Sequence, residues 1–527
     1  MMGTLEIVSS WMLTSETRSQ LLQQVTSPFK EPSMAAALLL VSAVVGSLLC
    51  WSTRSNRCLP PSPGRPLPFI GHLHVLRGSD PREIFAGMRK KYGDIFSFYA
   101  GSRLIVVLNG YSAIHEALVK KCDVFSARPK TFISQQMAQG HGIVNTSGEH
   151  WQEQRRFTER TLRSIGINCT STMEAKVLEE VSALMDKLDK TCDHTADQTL
   201  NLLELFLAST SNVMMSIIYG HRFDLDDPTY CAAMTSLINC FKNFSNMQPL
   251  NFFPIVRYLP GDPCGYRACV DNMHTLESTL VYPELDKHQQ VLHDAQPEDV
   301  VSAYMLEMER KRGAGIPTSM DKDNLVKVAG DLLAGGAEPP SVTVLWFMLY
   351  MLHYPHIQER CYQEIIENIG KDQPPSMAKR LALPYTEATI LEVQRHADVG
   401  PLGMPHGLSR DTELRGYDIP SDAIVITNLH SVHHDPEVWG DPEVFRPERF
   451  LDAEGCVVKS KYLIPYSIGS RKCPGEGLTR MELFLYATSI LQRYHLSCHD
   501  STLPPLQGSM TLVHTPLPFN VRFQRRQ

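Results

Sequence analysis

The 527-residue sequence contains no C-x-x-C pair, although it has 13 cysteines. An odd number without paired spacing excludes a regular disulfide scaffold and a zinc ribbon, and leaves mostly free thiols of a reducing compartment. Excess basic charge is missing as well. The 50 Lys and Arg against 57 Asp and Glu give a formal net charge of −7, which removes the electrostatic footprint of a general nucleic-acid binder. There is no internal repeat, no long low-complexity tract and no composition shift that would divide the chain after its N-terminal region. What remains, 43% hydrophobic and 20% charged, is the balance of a globular protein long enough to bury a large core.

One long apolar run is present. Met34 to Trp51, MAAALLLVSAVVGSLLCW, comes close to the ~20 residues that cross a bilayer, and Arg54, Arg57 and Arg65 follow it. Basic residues behind the run, rather than in front, favour a retained anchor over a cleaved signal peptide and place the body in the cytosol. Residues 1–33 then read as a lumenal extension, or as unused if Met34 is the effective start. Residues 34–51 read as a transmembrane anchor, 52–71 as a basic, proline-rich and stiff linker, and 72–527 as one catalytic domain. In that domain IFSFYAG and LIVVLNG alternate as two early strands. Helical periodicity runs over Leu178–Leu188, Leu202–Tyr219 and Asn324–Leu352, the last apolar nearly all round and so a core helix. Short strand-like pieces return in AIVITNL and near the C-terminus. The expected body is mainly α with a minor β-sheet region.

Five patterns call for a chemical reading. In GDLLAGGAEPPSVTVLW, Gly330 to Trp346, Pro339 and Pro340 stand side by side inside the long helix, where one interior proline costs roughly 3 kcal/mol. In PYSIGSRKCPGEGLTRMELFLYATSI, Pro465 to Ile490, a glycine-bearing loop delivers Cys473 to the start of an apolar-faced helix. The helix dipole, unpaired N–H groups and the neighbouring Arg471 and Lys472 predict a favoured thiolate there. Glu392 and Arg395 in LEVQRH are three apart and share a helix face. His430 and His434 in HSVHHD have the spacing of a metal pair, but zinc needs a third ligand, so they read as structural. Asn145, Asn168 and Asn243 begin N-x-S/T sequons that a cytosolic body keeps from the glycosylation machinery.

Tyr466, Gly469, Arg471, Cys473 and Gly475 resemble the cytochrome P-450 haem-thiolate signature F-x-x-G-x-R-x-C-x-G, with tyrosine in place of phenylalanine. The other markers of that family follow in order. Trp151 and Arg155 in HWQEQRRF match the W-x-x-x-R of a helix that contacts the haem propionates. Glu392 and Arg395 match E-x-x-R, and Arg449 in FRPERF matches the arginine that completes a structural triad. His406 in GMPHG matches a histidine at a propionate, but Gly407 replaces the arginine that usually follows, which implies a weaker clamp. The likeness extends from the proline strap to the last strand and is greatest to the microsomal branch that oxidises drugs, fatty acids and steroids. It implies the P-450 fold behind a single N-terminal transmembrane helix, in the endoplasmic reticulum membrane. It implies haem b on Cys473, with propionates held by Trp151, Arg155, His406 and Arg471. It also implies O2, electrons from NADPH-cytochrome P-450 reductase, cytochrome b5 as a further donor, and a lipophilic substrate. Residues 133–142, 335–338, 400–404 and 510–513 are the implied substrate lining.

The sequence departs from the family at the helix prolines. The family pattern A/G-G-x-D/E-T-T is met by Gly335, Gly336, Ala337 and Glu338, but Pro339 and Pro340 replace both threonines. In the family this segment crosses the distal face of the haem, is widened there, and uses the first threonine in proton delivery. Two prolines would then fix an existing kink, and Glu338 beside Pro339 would carry proton traffic with water. The resemblance implies a monooxygenase. Loss of the threonine also admits an isomerase or dehydratase of lipid peroxides that needs neither O2 nor reductase, as in prostacyclin, thromboxane and allene oxide synthases. A third reading is a haem protein that binds a lipophilic ligand with little turnover.

Overall fold

The computed structural model describes residues 57–76, 80–166, 171–194, 201–292, 297–498 and 502–526. The apolar run 34–51 and the Asn168 sequon lie outside the described residues. The compact body spans Leu59–Gln527.

The two alternating segments form β1 (Ile95–Ala100) and β2 (Arg103–Asn109), an antiparallel pair registered from Ile95 opposite Leu108 to Ala100 opposite Arg103. Small hairpin strands β3 (Thr412–Leu414) and β4 (Tyr417–Ile419) precede β5 (Ile424–Asn428). β5 joins β2 in parallel, Ile105 opposite Ile424 through Asn109 opposite Asn428. Near the C-terminus β6 (Tyr494–Cys498) pairs with β9 (Val521–Arg525), and β7 (Gly508–Met510) with β8 (His514–Pro516). The proline strap is stitched to β1 from Leu59 on: Ser97 Oγ donates to the Pro60 carbonyl at 2.8 Å and its N–H to Pro61 at 2.7 Å.

Between β2 and β5 lies most of the helical layer. Its members include α1 (Gly148–Ile165), α2 (Leu202–Ile218), α3 (Pro228–Met247), α4 (Lys322–His353) and α5 (Pro384–Ala397), with α6 (Glu476–Arg493) after β5. α4 is long and apolar enough to cross a membrane, but 78% of its apolar window is buried inside the body. It is a core helix, packed with α2 and α6 in one hydrophobic cluster that includes Phe206, Met215, Phe347, Met348 and Phe484.

α4 runs uninterrupted through Pro339 and Pro340. The prolines remove the N–H groups that would bond the carbonyls of Gly335 and Gly336, and neighbouring hydroxyls crowd the same turn. Thr210 of α2 donates to the Ala337 carbonyl at 2.8 Å, Ser341 to Glu338 at 2.8 Å and Thr343 to Pro339 at 2.7 Å. Packing on both sides keeps the helix continuous where local propensity would end it.

α5 carries the Glu392–Arg395 pair into full burial. Arg395 Nε and Nη2 reach the two carboxylate oxygens at 2.7 and 2.8 Å, and Arg449 Nε reaches Oε1 at 3.0 Å. Arg395 and Glu392 are 0% exposed and Arg449 5%. Carbonyls complete the shell: His433 for Arg395, and Trp439, Asp441 and Val444 for Arg449. Such a closed set of charges is tolerated in the interior only because each donor has an acceptor.

Candidate active site

The cysteine loop is held by close backbone approach. Gly469 has φ +81°, and a Cβ there would stand 2.0 Å from the Leu118 carbonyl oxygen, so only glycine fits. Lys472 N–H bonds the Gly469 carbonyl at 3.1 Å and Cys473 N–H the Tyr466 carbonyl at 3.0 Å. The phenol that distinguishes Tyr466 from phenylalanine accepts from Gln394 Nε2 of α5 at 2.6 Å. Cys473 is solvent-accessible, yet enough protein surrounds it that burial pushes its thiol pKa up. Both hold for a sulfur that protein surrounds on several sides without covering it.

The thiolate expected from the sequence depends on more than the helix end. α6 begins only at Glu476, so Cys473 lies ahead of its first turn. Burial outweighs the lowering contributed by the Gly475 N–H, Arg155 and Lys472, and the free thiol is favoured. A metal cation on the sulfur would reverse this, because a coordinating thiol is deprotonated outright.

Around the cysteine loop stand cations with few counter-ions. Arg471, 8% exposed, donates to the carbonyls of Ser126, Ile143 and Thr146 at 2.7, 3.3 and 2.6 Å, with its guanidinium 3.7 Å from the Trp151 ring centre. Arg155, one helical turn from Trp151 on α1, bonds Glu159 at 2.5 Å and the Lys472 carbonyl next to Cys473. A further cation, Arg128, was not singled out by the sequence. It donates to the carbonyls of Val144, Met404 and Pro405 at 3.0, 3.2 and 2.8 Å. Its only sequence signal is an arginine before a proline, too common to notice.

Among the described residues neither Arg128 nor Arg471 pairs with a carboxylate. Burial, then the neighbouring guanidiniums, lower Arg471 to about 8; burial and then Arg155 lower Arg128 to about 10. His406 is lowered to about 3 by burial and then Arg128, so it is neutral; its Nδ1 donates to the Phe125 carbonyl at 2.8 Å. Gly407 acquires a reason. A Cβ there would meet the Arg128 backbone at 2.8 Å, and its N–H bonds Ala127 at 2.8 Å. The residue without a side chain admits the strand that brings Arg128 in.

On the α4 side Glu338 is 3% exposed, and burial, only partly offset by Thr511, pushes its carboxyl up to about 8. Oε1 accepts from Thr511 Oγ1 at 3.1 Å and Oε2 is buried without a partner. Thr511 lies between β7 and β8 and shares a 3.1 Å hydrogen bond with Thr515. Ser245 of α3 bonds the carbonyls of Met510 and Thr511. Two of the segments expected to line a substrate site, 335–338 and 510–513, therefore meet at Glu338. Segment 400–404 reaches the cations through the Met404 carbonyl on Arg128.

This arrangement fits a flat dianionic macrocycle with a soft-ligand iron. Trp151 Nε1 is a buried donor with no acceptor, and Arg128 and Arg471 lack the negative charge that their burial calls for. Carboxylates of a haem would supply both, and Cys473 offers the sulfur. An α-rich body with this site is a haem-thiolate protein.

The comparisons agree. The family model described as "Cytochrome P450" matches residues 60–523. The chain is 35% identical over 506 residues to rabbit (Oryctolagus cuniculus) cytochrome P450 2B4, covering 94% of this chain and all of the relative. It is 34% identical over 525 residues to bovine (Bos taurus) cytochrome P450 2U1, covering 94% of each. It is 36% identical over 493 residues to rat (Rattus norvegicus) cytochrome P450 2F2, covering 92% and 98%. The chain belongs to the cytochrome P450 family. It is a haem-dependent monooxygenase using cysteine-ligated haem, O2 and NADPH-derived electrons from a redox partner reductase, associated with the endoplasmic reticulum membrane and taking lipophilic substrates.

Proposed function

We propose that this chain inserts one atom of O2 into a xenobiotic, fatty acid or steroid, with Cys473 as the axial haem ligand. Trp151, Arg155, His406 and Arg471, joined by Arg128, hold the propionates. Residues 34–51 anchor a cytosolic domain 72–527 as a single-pass protein, and cytochrome b5 is a further electron donor. Bound haem supplies the oxygen-activating redox chemistry, with thiolate electron density favouring O–O cleavage.

The observation that carries this reading is the buried Glu338–Thr511 pair. Pro339 has no hydroxyl, but Thr511 brings one to the same carboxyl from a different part of the chain. Below about pH 8 Glu338 holds a proton, and its unpartnered Oε2 is where that proton is free to be given up. As pH rises through about 8 the carboxyl ionises and the donor is lost, so the yield of oxidised product per NADPH should fall over that window. Glu338→Gln should flatten the profile and lower the rate about 100-fold, the low end for a general acid. Product and hydrogen peroxide measured against NADPH consumed from pH 6.5 to 9 check this.

Pro339 itself favours the peroxide-rearranging reading, so the two are assayed together. With reductase, NADPH and O2 the protein should form oxidised product; with a lipid hydroperoxide alone it should not. Rapid hydroperoxide conversion without reductase, and no NADPH-dependent product, would replace the proposal by the isomerase. The propionate role has its own test. Arg128→Ala removes charge-assisted hydrogen bonds worth about 1.5–3 kcal/mol each, so haem transfer to a scavenger protein should speed up roughly 10- to 100-fold. Unchanged transfer would remove Arg128 from the clamp.

A further inference from the structure

We propose that Asp398, His430 and His434 form a zinc site, separate from the haem site, with water in the fourth position. One donor atom from each lies within 4.8 Å of the other two. The third ligand that the histidine pair lacks in sequence comes from 32 residues upstream of His430. Asp398 follows the last residue of α5, while His430 opens the short helix His430–His433 beyond β5. Zinc bound tetrahedrally at about 2.0–2.1 Å holds its donors roughly 3.4 Å apart, within side-chain adjustment of these positions.

Hydrogen bonds explain part of the cluster and leave the rest open. Asp398 is 1% exposed; its Oδ2 accepts from His430 Nδ1 at 2.9 Å and its Oδ1 from His433 Nδ1 at 2.8 Å. The His430 and His434 rings lie 4.1 Å apart. His434 Nδ1 is buried with no hydrogen-bond partner, an expense that a lone pair directed at a cation would remove.

The other groups facing His434 are occupied. His396 bonds Tyr350 at 2.6 Å and Glu443 at 3.1 Å, and Arg395 is neutralised by Glu392. His433 is the outer support, gripping Asp398 through Nδ1 while Nε2 accepts the Ile464 N–H at 3.1 Å. Through it the site would tie the end of α5 and the end of β5 to the segment that enters the cysteine loop.

The test takes full-length, haem-loaded protein produced with zinc, strips it with a chelating resin, and measures zinc and iron together. One zinc per haem iron should remain, and zinc-edge X-ray absorption should show two imidazoles with nitrogen and oxygen neighbours at about 2.0–2.1 Å. His434→Gln should abolish retention, and His433→Leu should weaken zinc affinity about 10- to 100-fold, as expected for an outer-shell partner. The carbon monoxide difference spectrum confirms that each variant is folded and loaded. No retained zinc in the parent, sulfur neighbours in the absorption spectrum, or full retention in His434→Gln would each overturn the site. Should His434→Gln fail to fold, the parent's stoichiometry and absorption spectrum decide alone.

Discussion

Cys473→Ser is expected to bring NADPH-dependent oxygenation to the assay background while leaving a folded protein. The variant should lose the red-shifted Soret band that carbon monoxide gives with thiolate-ligated haem. The reason lies in the surroundings of the sulfur. Burial already opposes the anion of Cys473, so ligation depends on a side chain that a bound cation can deprotonate. A thiol, with a pKa near 8.5, is such a group. A serine hydroxyl, far less acidic, would stay neutral there and donate little electron density to iron. Haem should still bind, because the cations and Trp151 do not depend on the sulfur, so occupancy and spectrum separate. A thiolate spectrum surviving the substitution would send the search to another cysteine. Cys240, Cys264, Cys269 and Cys361 are the buried candidates among the described residues.

Glu392→Ala should be the most destabilising single change in the body. It strands Arg395, 0% exposed, without its bidentate partner, and takes from Arg449 its contact at 3.0 Å. Breaking a buried ion pair from one side costs about 3–5 kcal/mol, much of the ~5–15 kcal/mol that a domain has in total. Most of the variant should be recovered unfolded or without haem. The cause is the uncompensated charge and not the lost attraction, which a double change can show. Glu392→Leu with Arg395→Met removes both charges and fills the space, so its urea midpoint should lie nearer to the parent than that of Glu392→Ala. Equal destabilisation by the two would mean that the carbonyl contacts of Arg395 and Arg449, and not charge compensation, hold this region.

Local rules made much of this protein legible. Period-two alternation placed β1 and β2, a strand-like apolar run marked β5, and helical periodicity placed the long core helix. The residue types around Cys473 marked an unusual thiol at a glycine loop, and their resemblance to the family signature implied haem. Those signals are local: pleat, helical turn and tight glycine loop are set by residues a few positions apart. The pairing of β2 with β5 was not legible, since a parallel partner is chosen by the helical layer folded between them. Helical period carried α4 through its prolines as well, and the tertiary structure adds the hydroxyl of Thr210 on α2 that donates to the Ala337 carbonyl at that turn.

The chemistry of the sites was decided at the same level. Arg128 joins the cations because Gly407 lets its strand approach, and Thr511 reaches Glu338 across 173 positions of sequence. Asp398 meets two histidines at the junction of α5 and β5. The burial that opposes a metal-free thiolate at Cys473 acts through space, from atoms that no window of sequence contains. By itself the sequence determined which side chains could do the work. The tertiary structure decided which of them meet, and, by excluding water around them, in which charge state they do so.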